Sequence, residues 1–175
     1  MDCVAKRWDI ERGILIDNFV GHKQGLSDLC FYRQAMLLTA SADATLKLWD
    51  VRAGKAVRDF LGHKNVVTSV VASRTGDRVL SGSLDGSVLE WDVNSGRIIG
   101  SPVIKSSHAS IADTKLDCPA GPITSIALDE EGETPLLYTA AKAARGMKHG
   151  IVRAWNLRRR VETRCFSVGD VTLCE

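Results

Sequence analysis

Short runs of alternating or β-branched apolar residues recur along the chain: LSDLCFY from Leu26, VVTSVVAS from Val66, RVLSGS from Arg78 and SVLEWDV from Ser87. The turn signals RTGD, DG and NSG separate them. Apolar residues with period two predict half-buried strands, and clusters of Gly, Asp, Asn and Ser predict the turns between them. Each unit of the chain predicts four short strands and no helix.

The strands belong to a repeated phrase. SADATLKLWD at 41–50 returns as SLDGSVLEWD at 83–92, with Ser, Asp, Trp and Asp in register. The tryptophans Trp8, Trp49, Trp91 and Trp155 are 41, 42 and 64 residues apart. Gly21-His22 and Gly62-His63 are 41 apart, and each histidine precedes its tryptophan by 27 or 28 residues. A third copy starts at Pro122 with PITSIALDEEGETPLLYTAA and ends with GIVRAWNL from Gly150. Its longer interval places 14 extra residues within 100–121 and six between Thr139 and Trp155. CPAGP replaces its Gly-His pair, His149 takes its Asp slot and Asn156 follows its tryptophan. The segment 100–121 lacks sustained alternation and is expected to be an exposed loop.

Composition narrows the class without naming a chemistry. The 45% hydrophobic and 25% charged residues suit a globular domain with a real core. The net charge of +2 is too small for bulk attraction to nucleic acid or an acidic membrane. Five cysteines without a CxxC pair read as reduced thiols. No apolar run reaches the roughly 18 residues of a membrane span, and MDCVAKRWDIERG has no signal-peptide core, so the expected compartment is the cytoplasm or nucleus. No phosphate loop, nucleophile elbow or metal-ligand spacing is present, and neither catalysis nor a cofactor is expected.

A period near 41, a Gly-His start and a Trp-Asp finish resemble the WD-repeat family of β-propellers over nearly the whole chain. The resemblance implies an all-β, incomplete propeller of about three and a half four-stranded blades. Its expected parts are a partial blade at 1–20, blades at 21–61 and 62–104, a loop-inserted divergent blade at 105–168, and the start of another blade or a tail at 169–175. Such a chain is expected to be an open fragment of a larger propeller. Ring completion by a second chain and closure as a compact four-bladed ring are the alternatives.

The resemblance also implies a structural hydrogen-bonded brace in each blade. The matching sets are His22, Thr39, Asp43 and Trp49, then His63, Ser81, Asp85 and Trp91, with Thr139 and Trp155 in the third. Ser, His and Asp in contact suggest a hydrolase triad, but a triad is needed once and these sets recur. The family's general role then implies a non-catalytic protein-interaction scaffold. Its docking candidates are loop residues: Lys23, Gln24 and Ala42, then Lys64, Asn65 and Leu84, then Lys142, Arg145 and Lys148. Self-association through open edges is a second expectation. The alternative function is RNA or ribonucleoprotein binding through local basic loops, including Arg158, Arg159 and Arg160, read as alternating their faces beside a strand.

Overall fold

The computed structural model describes residues 2–33, 35–74, 76, 78–100, 121–142 and 150–167. Its fourteen strands form four antiparallel sheets, with no helix among the described residues. Strands β1 (Val4–Asp9) and β2 (Ile14–Val20) make a two-stranded sheet. A four-stranded sheet follows, of β3 (Leu26–Tyr32), β4 (Met36–Ser41), β5 (Thr45–Asp50) and β6 (Lys55–Leu61). The next holds β7 (Val67–Ala72), β8 (Arg78–Ser83), β9 (Val88–Asp92) and β10 (Ile98–Gly100). The last holds β11 (Ile123–Asp129), β12 (Leu136–Ala141), β13 (Ile151–Asn156) and β14 (Val161–Ser167).

Every four-stranded sheet is a meander in which each strand pairs with its chain neighbour. The same irregularities return in each. The first strand is bulged between Leu26 and Asp28, Val67 and Ser69, and Ile123 and Ser125. A further register shift stands immediately before Trp8, Trp49 and Trp155, and its counterpart opposite Glu90 and Trp91 falls between Ile98 and Gly100. Repeated bulges at equivalent positions bend successive sheets alike, which lets them stack.

Stacking buries what the sheets cannot bury alone. Ala5 and Phe19 of the two-stranded sheet pack with Leu37 and Trp49. Leu38, Leu46 and Phe60 pack on Val67, Val70 and Trp91. Leu80 and Val88 pack on Ile123, Ile126 and Trp155. At the first two seams a phenylalanine from one outer strand meets the next tryptophan edge to face, at 5.7 Å for Phe19–Trp49 and 5.6 Å for Phe60–Trp91. The glycine before each histidine has a steric reason. A Cβ on Gly21 would stand 3.0 Å from the Trp49 ring, and one on Gly62 would meet Trp91 at 3.0 Å and Ile98 at 2.7 Å.

Polar contacts fix how the sheets sit on one another. The Asp28 carboxylate accepts from the Ser69 hydroxyl (2.8 Å) and the Val70 amide (2.9 Å). Ser27 donates to the Val67 carbonyl, and Thr68, its counterpart one sheet later, donates to that of Ile123 at 2.8 Å. At the last seam Glu130 accepts from the Ser73 hydroxyl and the Arg74 amide, while buried Glu90 pairs with Arg78 of its own sheet and Arg160 of the next.

One sequence expectation is corrected. Arg158, Arg159 and Arg160 do not alternate along a strand; they occupy the β13–β14 turn. Asn156 starts that turn, because its side-chain oxygen accepts from the Arg159 amide and its carbonyl from the Arg160 amide, while Arg160 adopts a φ of 55°. The expected inter-sheet loop lies, over 101–120, outside the described residues, as do 168–175.

Candidate functional site

The turn between β4 and β5 brings Asp43 under the loop that follows β2, where His22 stands. His22 Nε2 lies 2.7 Å from Thr39 Oγ1, and its Nδ1 lies 2.9 Å from Asp43 Oδ2. The Trp49 indole N–H donates to Thr39 Oγ1 at 2.9 Å. The indole can only donate and the carboxylate can only accept. Direction therefore follows: Trp49 donates to Thr39, Thr39 donates to His22 Nε2, and His22 Nδ1–H donates to Asp43. A neutral imidazole fits this chain without an orphaned group.

The next sheet repeats the arrangement. His63 lies 2.8 Å from Ser81 and 3.1 Å from Asp85, and the Trp91 indole donates to Ser81 at 2.7 Å. Burial pulls the His63 pKa below its ordinary value, outweighing the Asp85 carboxylate that favours the charged ring. For Asp85 burial acts to raise the pKa. Hydrogen bonds from the Ser87 side chain, the Lys64 and Ser87 amides and His63 overcome it, and the carboxyl sits at about 2. Asp43 is held well below its ordinary value likewise: burial opposes, while the Thr45 hydroxyl, the Lys23 amide and His22 prevail.

Four further hydroxyls complete these clusters, and the tryptophan-centred spacing did not reveal their roles. Thr45 and Ser87 donate to the second oxygen of Asp43 and Asp85. Ser41 donates to the Gln24 and Gly25 carbonyls and accepts the Asp43 amide. Ser83 does the same with the Asn65 carbonyl and the Asp85 amide. The signal available for Thr45 and Ser87 is an Asp followed two residues later by Thr or Ser, a common turn motif.

In the third sheet the Trp155 indole donates to Thr139 at 3.0 Å, and Pro122, directly before β11, stands where Gly25 and Val66 stand in the other sheets, accepting the Lys142 amide. His149 lies outside the described residues.

The hydroxyls of Thr39 and Ser81 are fully buried and engaged on both sides. Around them the surface is open. Lys23, Gln24, Lys64, Asn65 and Lys142 are exposed, while Ala42 and Leu84 are half-buried. Backbone bonds from Ala42 to Gly25, Leu84 to Val66 and Lys142 to Pro122 hold these loops at the same end of the three sheets. Arg145 and Lys148 lie outside the described residues.

Residues 13–50 and 54–92 match the family model described as WD domain, G-beta repeat. The chain thus carries two repeats of the WD-repeat family, over residues 13–50 and 54–92. Each match takes in the outer strand of one sheet and the first three strands of the next, β2 through β5 and then β6 through β9, so the sequence repeat links two sheets. The all-β arrangement is that of an incomplete propeller. Repeats of this family generally mediate protein–protein interaction. No curated protein matches the chain. No helix among the described residues is long and apolar enough to cross a membrane.

Proposed function

We propose that the chain is a non-catalytic scaffold that docks other proteins through the loops beside His22, His63 and Pro122. The observation that carries this reading is the recurrence of one His–hydroxyl–Asp–Trp chain in two successive sheets, each with its hydroxyl buried and engaged. A group repeated in this way serves the sheets that contain it. The side chains proposed to select the partner are those of the loops: Lys23, Gln24 and Ala42, then Lys64, Asn65 and Leu84, then Lys142, with Arg145 and Lys148 of the same loop outside the described residues. On this reading 1–20 is a partial blade, 21–61 and 62–104 are blades, 105–168 is a divergent blade and 169–175 begins another blade or forms a tail. The braces hold the blades, the loops select the partner, and the chain works in the cytoplasm or nucleus.

The test compares two charge reversals. Lys23→Glu with Lys64→Glu and Lys142→Glu alters the loop end, whereas Arg12→Glu with Arg52→Glu and Arg158→Glu alters the turns at the other end. Both variants should keep the parent's denaturation midpoint, because exposed charges add little to stability. Only the first should lose the proteins that co-purify with the parent from cells. Retention of the full set by the loop variant overturns the reading. A salt-sensitive mobility shift with generic RNA, lost in the same variant, favours the nucleic-acid alternative.

A further inference from the structure

The loop end of the sheets holds its lysines by their backbone. The Lys23 and Lys64 amides donate to Asp43 and Asp85 at 2.9 and 2.8 Å, so each lysine starts from a fixed point one residue beyond its buried histidine. In the third sheet the cation moves to the neighbouring turn. Lys142 takes the place of Ala42 and Leu84, its amide bonded to Pro122 as theirs are to Gly25 and Val66. All three lysine side chains are exposed, and none forms an ion pair among the described residues.

The carboxylates beside them are already engaged. Asp43 and Asp85, with side chains 7% and 13% exposed, each accept on both oxygens. One oxygen takes the histidine and the lysine amide, and the other takes the amide and hydroxyl of Thr45 or Ser87. Of the neighbouring carboxylates, Asp28 binds Ser69 and Val70, Asp59 pairs with Lys47 and Asp2 with Lys6. Three lysines therefore stand uncompensated at one end of three successive sheets, with the side-chain amides of Gln24 and Asn65 beside the first two. The opposite end has no such bias. There the exposed Arg12, Arg52 and Arg158 share the turns with exposed Glu11, Asp129, Glu131 and Glu133.

We propose that the partner docked by these loops presents an acidic segment, a run rich in Asp and Glu laid across the three sheets with its carboxylates on Lys23, Lys64 and Lys142. The inference deepens the scaffold reading and rests on it. Complementary charge speeds encounter and selects among partners more than it adds affinity, and it does so best where one sign stands alone. A peptide fits this end better than RNA. No aromatic side chain is exposed there among the described residues, so bases have nothing to stack on, whereas a carboxylate needs only the compact charge of an ammonium group.

The test uses the 175-residue chain and three labelled probes of equal length: a peptide of Glu and Ser, its counterpart with glutamine for every glutamate, and an oligouridine. A neutral variant combines Lys23→Met, Lys64→Met and Lys142→Met. Its denaturation midpoint should match the parent's, because the lysine amides and not the ammonium groups serve the braces. A control variant combines Arg12→Met, Arg52→Met and Arg158→Met. In fluorescence anisotropy at low salt the acidic peptide should bind the parent saturably, and the glutamine peptide at least about tenfold more weakly. The neutral variant should lose at least about tenfold in affinity for the acidic peptide and the control variant should not, with the difference vanishing in about 1 M salt. Equal binding of the two peptides, equal loss in the two variants, or tighter binding of the oligouridine than of the acidic peptide overturns the proposal, the last in favour of nucleic acid. Proteins that co-purify from cells separate this failure from failure of the scaffold reading. If the neutral variant keeps the set that Lys23→Glu with Lys64→Glu and Lys142→Glu loses, docking at the loops stands and the acidic partner falls. If the charge reversal loses nothing, the docking surface falls and the acidic partner with it.

Discussion

Trp91 shows how much one side chain carries when packing and hydrogen bonding converge. It is fully buried, meets Phe60 edge to face and donates to Ser81. Trp91→Ala should cost about 3–5 kcal/mol, from the emptied site and the loss at Ser81. Trp8→Ala, at a position without those contacts, should leave the midpoint nearly unchanged; equal losses in equilibrium denaturation would refute the distinction. The same residues make stability depend on pH. His63 binds a proton less readily folded than unfolded, so its contribution is complete above its ordinary value of 6.5 and declines as pH falls below it. Asp85 ionises more readily folded than unfolded, so its contribution is present above its ordinary 3.8 and is lost as pH falls towards about 2. Midpoints measured from pH 8 to 2 should decline in both windows, and Asp85→Asn should reduce the lower component, leaving the share that Asp43 contributes. His, hydroxyl, Asp and Trp are legible from sequence because they recur at fixed offsets. Thr45 and Ser87 are not, since a hydroxyl two residues beyond an Asp marks many turns that build nothing further.

Strands and sheets show a different balance between pattern and geometry. Alternation, turn residues and the 41-residue period reveal the meanders, because each strand pairs with its chain neighbour and the information is local. The seams are long-range. Asp28 reaches Ser69 and Val70, and Glu90 reaches Arg160, only once sheets have stacked, and no period announces those pairs. Arg158 to Arg160 mislead for a related reason: Asn156 turns the chain earlier than the charge pattern suggests. Glu90 is informative because Leu48 holds the equivalent place one sheet earlier, directly before the tryptophan. Glu90 is 5% exposed, whereas the side chains of Arg78 and Arg160 are half-exposed. Removing the buried charge leaves its partners free to hydrate, while removing a partner weakens compensation of a buried carboxylate. Glu90→Leu should therefore leave the denaturation midpoint unchanged or raise it, and Arg78→Leu should lower it. The reverse order would show that the ion pairs outweigh the desolvation of Glu90.

At the scale of the molecule, stability in a stack of sheets is close to a sum of the sheets' own contributions and the seams between them, so it need not be uniform. The sheets β3–β6 and β7–β10 each hold a complete chain from indole to carboxylate, and an aromatic pair reinforces each seam on their β2 and β6 sides. The sheet β11–β14 has the indole-to-hydroxyl bond alone among the described residues, without the histidine and aspartate that tie a loop to a turn in the others. Its seam relies on Ile123, Ile126 and Trp155, and on the carboxylates Glu90 and Glu130, whose partners are partly solvated. One fewer buried hydrogen-bond chain lowers the free energy of local opening by about 1–3 kcal/mol. Native-state amide exchange should accordingly be at least about fivefold faster across β12 and β13 than across β4 and β5 or β8 and β9. The difference should persist when denaturant is kept below the global transition, because it reports opening of one sheet with the other two in place. Identical protection in all three sheets would mean that opening is global, that the seams couple the stack into one unit, and that the missing histidine and aspartate carry no stability of their own.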